Sequence, residues 1–225
     1  MIQIIRIIGF LTLICCSNST FSQTFEIKIR FIGNCGLSMT DGISNIYIDF
    51  PYKSGAHNYM KYDLSELDSV KRNPIFIYTH KHSDHYSGRL VKKLVKKLDG
   101  EIYTPWNIRE LLKFKDKIKD FNIEAYRTKH LFSINHYSYL ITWHNKKIFI
   151  SGDTKHVETI ASLKDIDWAF VPAWLIMEAN KKKINLENIS KMFAIYHIGP
   201  LDNINITGDV VLMLNKQGEI ITIPF

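Results

Sequence analysis

Three histidines and an aspartate stand within six residues in the stretch YTHKHSDHYSG, which runs from Tyr78 to Gly88. His80, His82, Asp84 and His85 follow NPIFI, an apolar run that reads as a buried strand, so all four sit on the loop leaving it. At neutral pH these groups offer lone pairs, and crowded on one short loop they are poorly solvated. A cation is expected among them. Three further positions combine the right residue type with the right place: His130 in RTKH after the strand-like IEAYRT, Asp153 in FISGDT, and His197 in AIYHIGP. Each follows a β-run, and strand ends in layered folds gather on one rim, where sites are usually built. The seven positions hold five histidines and two aspartates, enough for two metal ions with one carboxylate shared.

A lone histidine is more often an ordinary core or surface residue than a ligand, so His57, His136, His144 and His156 stay unassigned. His136 is the nearest rival to His130, but it precedes a strand instead of ending one.

The elements that must position these groups alternate along the chain. FEIKIRFIGNCG alternates apolar and charged residues, and GISNIYIDF is read as the second strand, ending at Asp49. A tyrosine-rich irregular loop, PYKSGAHNYMKYDLSEL, leads to the short apolar strand NPIFIYTH, of the kind found in sheets covered on both faces. In RLVKKLVKKLDG, Leu90, Val91, Leu94, Val95 and Leu98 recur at helical spacing with four lysines opposite, an amphipathic helix with a solvated basic side. EIYTP and a helix from about Trp106 to Lys119 complete the first half. The second half begins again with strands in NIEAYRT, HYSYLITWH and KKIFISGDT, then a short helix near His156–Leu163 and the strand DWAFVPA. NLENISKMF reads as helical, AIYH as a strand, and DVVLMLNKQGEIITIPF as a closing hairpin turning at Gln217–Gly218. Strands first and strand–helix alternation second, in each half, suggest two mixed sheets face to face with helices outside.

With 225 residues and ordinary globular composition, one domain with a real core is expected. The opening MIQIIRIIGFLTLICCSNSTFSQ carries one charge, Arg6, and an apolar block from Ile7 to about Cys16, too short to cross a bilayer. It fits a secretory signal over residues 1–22, cut after Ser22 with Gln23 as the new start, which leaves one domain over residues 23–225. The localisation expected is therefore periplasmic or secreted, with no transmembrane segment in the mature chain. A lipid anchor at Cys16 is the competing reading, set back by Cys15 where a small residue is usual. A cytoplasmic chain with an apolar start is a third. Removing the signal leaves Cys35 alone, so no internal disulfide forms, and Cys35 is expected to pack in the core. The net charge of +7 lies mostly in the basic helix and LLKFKDKIKD. No aromatic residues interleave with the lysines of RLVKKLVKKLDG as a stacking platform requires, so no nucleic-acid partner is expected.

The series His80-x-His82-x-Asp84-His85, His130, Gly152-Asp153-Thr154 and His197 resembles the ligand set of the metallo-β-lactamase superfamily, in order and spacing, from FIGNCG through YHIGP. The resemblance implies an α/β fold, a four-layer αββα sandwich with a dinuclear site. It implies that His80, His82 and His130 bind the first metal, Asp84, His85 and His197 the second, and Asp153 bridges. Asp49 resembles the second-strand aspartate that supports the metal loop. Imidazole and carboxylate without thiolate suit two zinc ions, with iron or manganese as options. Two close ions lower the pKa of a shared water, and Asp84 is expected to orient the resulting hydroxide and handle its proton.

The front FIGNCGLSMTDG…NIYIDFPY looks most like the branch of the ascorbate-phosphate lactonase and the N-acyl phosphatidylethanolamine phospholipase D. The function expected is an exported metal-dependent hydrolase of an ester, lactone or phosphodiester, with a small-molecule substrate. A mononuclear iron oxygenase of the persulfide type, or a binding protein that holds metal without turnover, are the alternatives. Tyr52, Tyr59, Tyr62 and Trp174 are candidates for the substrate pocket, and the tyrosine-rich loop is expected to overhang the metal rim.

Overall fold

Alternation carries the architecture. In β1 (Glu26–Gly33), Ile27, Ile29 and Phe31 turn inward while Lys28 is exposed. The computed structural model describes residues 25–114, 117–199, 202, 204, 206 and 208–225. The expected signal, with Cys16 and the cut before Gln23, lies outside the described residues.

β1 is flanked by β2 (Gly36–Thr40), and β3 (Asn45–Ile48), β4 (Ile75–Ile77) and β5 (Glu101–Tyr103) continue the sheet. The last strand, Ile220–Pro224, closes its other edge against β1. The second sheet holds β6 (Phe121–His130), β7 (Ser133–Trp143), β8 (Lys146–Ile150), β9 (Ile166–Pro172), β10 (Ser190–Tyr196) and β11 (Val211–Met213), side by side in chain order. The closing strand is therefore β12. Both sheets are mixed: antiparallel among their early strands, parallel from β3 to β5 and from β8 to β11.

Period-two burial divides the apolar residues into layers. Ile46, Ile48 and Ile77 face Ile148, Ile150, Phe170 and Ala194 across the two sheets. Their chain neighbours Tyr47 and Phe76 turn outward against Val91 and Leu94 of α1 (Gly88–Leu98). On the far side Phe149, Ala169, Val171 and Ile195 meet Val157 and Ile160 of α3 (Val157–Ala161) and Leu175 and Ala179 of α4 (Ala173–Lys181). The result is a four-layer αββα sandwich, as the element order suggested. No helix among the described residues is long and apolar enough to cross a membrane.

Five local expectations are corrected. β2 is a strand of its own, because Gly36 lets the chain reverse against β1 and Leu37 and Met39 reach the core. The helix expected over Trp106–Lys119 is a 3-10 turn at Pro105–Asn107 and a short α2 (Ile108–Leu112); Phe114 and Ile118 enter the core from the turns that follow. NLENIS is a turn, with the Asn185 side chain accepting from the Glu187 N–H, because Ser190 onward pairs in parallel with β9. The helix α4 went unread, since its apolar AWLIM continues the strand run before it. The closing hairpin does not form: β11 pairs with β10 in one sheet and β12 with β1 in the other.

One clamp holds the irregular loop after β3. Arg30 of β1 donates two hydrogen bonds of 2.6 Å to the buried Glu66 carboxylate, which also accepts from Gln217 at 2.6 Å.

Candidate metal centre

The ends of β4, β6, β8 and β10 meet on one rim, and all seven sequence-selected residues lie there. After β4 the chain leaves the sheet at Tyr78, and His82 accepts through its carbonyl from the N–H groups of His85 (3.0 Å) and Tyr86 (2.9 Å). That turn presents Asp84 and His85 inward, both buried, with His80 fully buried beside them.

The side chains form two groups. One ligand atom from each of His80, His82, His130 and Asp153 lies within 4.8 Å of the others, with His130 Nε2 3.0 Å from His82 Nδ1. In the second group His85 Nε2 and His197 Nε2 are 3.0 Å apart, and Asp84 Oδ2 is 3.5 and 3.3 Å from them. Asp153 joins the groups: its Oδ2 is 3.3 Å from His130 Nε2 and 3.5 Å from His197 Nε2. Cys35 is buried, as expected of a core residue, yet its sulfur lies within 4.8 Å of a nitrogen of His85 and of His197. Burial pushes its thiol well above the ordinary range.

A buried network behind the histidines fixes their tautomers. Asp49 accepts from the Thr79 N–H (2.7 Å), the Thr79 hydroxyl (2.6 Å) and His85 Nδ1–H (2.8 Å), leaving a lone pair on His85 Nε2. Because the Thr79 hydroxyl donates to Asp49, its oxygen accepts from His80 Nδ1 at 3.1 Å. His80 Nε2 thus carries a lone pair, and it is buried with no hydrogen-bond partner. Asn34 donates to the Asp84 carbonyl at 2.8 Å and lies 3.3 Å from its carboxylate.

His136, left unassigned on the sequence, is part of this support. It lies within β7 and not before it, and is fully buried. The Asp153 N–H donates to His136 Nε2 at 3.1 Å, so Nδ1 carries the proton and donates to the Thr128 hydroxyl at 2.6 Å. Gly152 makes this contact possible. Its φ is +65°, and a Cβ there would stand 2.8 Å from His136 Nε2 and 2.8 Å from Thr79 Cβ. His130 and His136 both stand at even-numbered positions of the hairpin, and no sequence signal separates the candidate ligand from its support.

Electrostatics follows from burial and crowding. Burial, then the neighbouring imidazoles, pushes His80 well below the usual histidine range. Burial likewise pushes His136 down to about 3. Burial would raise the carboxyl of Asp84, but the hydrogen bond from His197 and the fields of His85 and His197 outweigh it and hold it far below the usual range. Burial opposes charge on Asp153 as well, and hydrogen bonding from His197 leads the groups that bring it down to about 2. His197 pays for both: burial would lower it, yet the two carboxylates lift it to about 9. The pair of buried carboxylates demands positive charge between them.

The tyrosine-rich loop overhangs the rim. The Tyr59 ring meets the His197 ring edge-on at 4.2 Å, and Trp174 meets it at 5.0 Å. Tyr59 and Trp174 line a cavity of about 630 Å³ with His130, Asp153, Lys129, Leu131 and Lys155. Tyr52 and Tyr62 do not reach it: both are buried in the layer under α1, donating to the carbonyls of Met60 and Tyr52. The four tyrosine and tryptophan candidates thus divide by burial.

No protein-family model matches the chain. Solved structures of similar fold include Igni18, a metallo hydrolase from the archaeon Ignicoccus hospitalis, with a TM-score of 0.64 at 16% identity over 89% of this chain and 99% of that one. YhfI of Bacillus subtilis, a metallo-β-lactamase fold protein, gives 0.62 at 16% identity, covering 88% and 99%. A candidate metal-dependent hydrolase from Parabacteroides distasonis gives 0.57 at 20% identity, covering 83% and 92%. At such identities the likeness is one of fold, and the fold of this chain is the metallo-β-lactamase sandwich.

The close approach of Gly152 to His136 can be measured. Gly152→Ala forces a side chain into a left-handed backbone and against two buried groups, and should cost about 3 kcal/mol in urea unfolding of the metal-free chain. Zinc affinity should fall about tenfold with it, because the Asp153 N–H loses its acceptor. An unchanged unfolding midpoint together with unchanged zinc affinity would show that this turn is not held by His136.

Proposed function

We propose that the chain is an exported metal-dependent hydrolase of a small-molecule ester, lactone or phosphodiester. In this reading His80, His82 and His130 hold one divalent cation, Asp84, His85 and His197 hold a second, and Asp153 lies between them. The observation that carries it is the single oxygen of Asp153 facing one histidine of each group, at 3.3 and 3.5 Å. The residues fit such ions by their own chemistry. His80 Nε2 is a buried lone pair with nothing to accept from, and such orphans are rare unless a ligand uses them. Seven nitrogen and oxygen donors in two groups suit zinc, with iron or manganese as alternatives. When bound, two such cations supply Lewis acidity and an acidified water at neutral pH.

The chain supplies orientation and proton handling. Asp84, held from behind by Asn34 and buried, is placed to accept a proton from the attacking water and return it to the leaving group. Asp49 and Thr79 keep the lone pairs of His85 and His80 aimed at the rim. Tyr59 and Trp174 wall the approach and exclude bulk water from the His197 side. Lys129 and Lys155, lining the same cavity, favour substrates on which negative charge develops. The resemblance of the front of the chain to lactonase and phosphodiesterase sequences supports the ester, lactone or phosphodiester class.

Metal content tests the ligand assignment. Metal-replete protein should carry close to two equivalents of zinc by atomic emission, and His197→Ala close to one. One equivalent in both would remove the dinuclear arrangement.

Asp84→Asn separates a ligand from a proton acceptor. It keeps the size and one oxygen but loses the accepting charge, so at saturating zinc its turnover on the best ester, lactone or phosphodiester of a chromogenic panel should drop about 10²-fold. Recovery to the wild-type rate at saturating zinc would leave Asp84 as a ligand alone.

Export has its own measurement. Expressed with its leader in a bacterial host, the protein should appear in the envelope fraction with Gln23 at its N-terminus. Recovery from the cytoplasm with Met1 intact would overturn export and leave the chemistry untouched.

A further inference from the structure

The turn between β6 and β7 carries an apolar tip for which folding has no use. Leu131 and Phe132 connect His130 to Ser133, which pair across the hairpin. Phe132 adopts φ +59°, a left-handed conformation that turns ordinarily give to glycine, asparagine or aspartate. Leu131, Phe132 and Ile134 are 71, 90 and 87% exposed, and none belongs to a core cluster. A bulky residue in left-handed backbone disfavours the folded state, and three apolar side chains left in water return almost nothing for it. Such a cost persists where the surface is used.

The tip stands at the mouth of the histidine cluster. The Phe132 carbonyl is 3.5 Å from His82 Nε2, and Leu131 lines the 630 Å³ cavity with Tyr59 and Trp174. Lys129 and Lys155 line it too, and its only acid is Asp153, whose charge faces His130 and His197. One wall is therefore apolar and aromatic, and the charge left over is positive.

We propose that the substrates of this site are anionic amphiphiles. The acidic group lies beside Lys129 and Lys155, and the apolar chain leaves the cavity along Leu131 and is covered by Phe132 and Ile134. This deepens the hydrolase reading and rests on it for turnover, but not for binding. The occupant is a small molecule, because Leu131 at the base of the tip lines a cavity of small-ligand size.

The test is calorimetric titration of the full zinc-loaded chain with n-decyl phosphate below its micellar concentration, with methyl phosphate, and with decyltrimethylammonium. Decyl phosphate should bind about tenfold or more tightly than methyl phosphate, since each buried methylene adds to affinity, and the cation should give no saturable binding. The variant Phe132→Asn/Ile134→Thr, which spares the cavity-lining Leu131, should weaken decyl phosphate binding about fivefold or more and leave methyl phosphate unchanged. Its melting temperature should equal or exceed that of the wild type, because asparagine suits the left-handed turn position; a purely structural tip would lower it. Equal affinity for the two phosphates in the wild type would overturn the proposal. So would phosphatidylglycerol vesicles that bind the wild type and not the variant when the chain-length preference is absent, which would make the tip a membrane contact. Conversion of a dimer to a monomer by the variant, seen in sedimentation, would assign the tip to a second copy and overturn it equally. A decyl preference with no turnover on any ester, lactone or phosphodiester would uphold the amphiphile site and sink the hydrolase reading alone. Turnover without any chain-length preference would do the reverse.

Discussion

The Asp49 carboxylate is the constraint on which the rest of the site depends. It is fully buried at the end of β3, and a buried carboxylate without partners costs several kcal/mol. Its partners come from a single loop: the Thr79 N–H at 2.7 Å, the Thr79 hydroxyl at 2.6 Å and His85 Nδ1–H at 2.8 Å. The loop must therefore leave β4 in the one path that delivers all three donors. Two tautomers follow, and with them the direction of two lone pairs. The same loop is then tied to the opposite sheet, where the Tyr137 N–H donates to the Thr79 carbonyl at 3.0 Å and the Tyr139 hydroxyl to the Tyr78 carbonyl at 2.7 Å. Satisfying one buried charge thus fixes both the loop and the spacing of the two sheets where they meet the rim.

That rim is built from unfavourable backbone. Asn34, Asp49 and His197 all have φ between +46° and +58°, and Gly152 has +65°. Each such non-glycine residue costs on the order of 1 kcal/mol and stays in place only where its surroundings over-determine it. Here they do. The His197 N–H donates to the Asn34 carbonyl at 2.9 Å, and the Asn34 amide in turn holds Asp84, so two strained residues brace each other across 163 positions of sequence. The strain, the two inward carboxylates and the orphaned His80 nitrogen all sit within the same few ångströms. A protein spends stability this way where a bound cation returns it, because ion binding and folding then share one free energy.

Much of this was legible in the residues, and the limits have physical causes. Ligand types at strand ends could be read because strand ends converge whatever the sheet order, so His80, His130, Asp153 and His197 needed no knowledge of the packing. Short apolar runs such as Asn45–Ile48 and Lys146–Ile150, buried on both faces, marked two covered sheets. His136 was not legible as a support, because its role is set by the N–H of Asp153, seventeen residues on, which reaches it through the αL Gly152. The fate of the last two strands was equally hidden. Two apolar runs separated by Lys216–Gly218 read as a hairpin, but the Gly218 N–H bonds the Phe31 carbonyl at 2.8 Å and carries β12 into the other sheet. Competition between local and distant partners decides such cases, and sequence alone reports only the local partner. AWLIMEANK shows the same limit in a helix, whose apolar start extends the preceding strand without a break.

The site divides into a part that cannot vary and a part that can. The candidate metal-binding residues are held by buried hydrogen bonds to Asp49, Thr79, Asn34 and His136, and a change in any of these moves a lone pair. The mouth is held differently. Tyr59 stands on a loop anchored remotely, where Arg30 and Gln217 grip Glu66, and Leu131 stands at a two-residue hairpin tip. Side chains at the mouth can therefore be exchanged for others of different shape or charge without removing the buried hydrogen bonds that orient the histidines. In the proposed hydrolase this separation lets the histidine cluster set the place of reaction on the rim, while the aromatic, cationic and apolar residues above it carry the information about substrate.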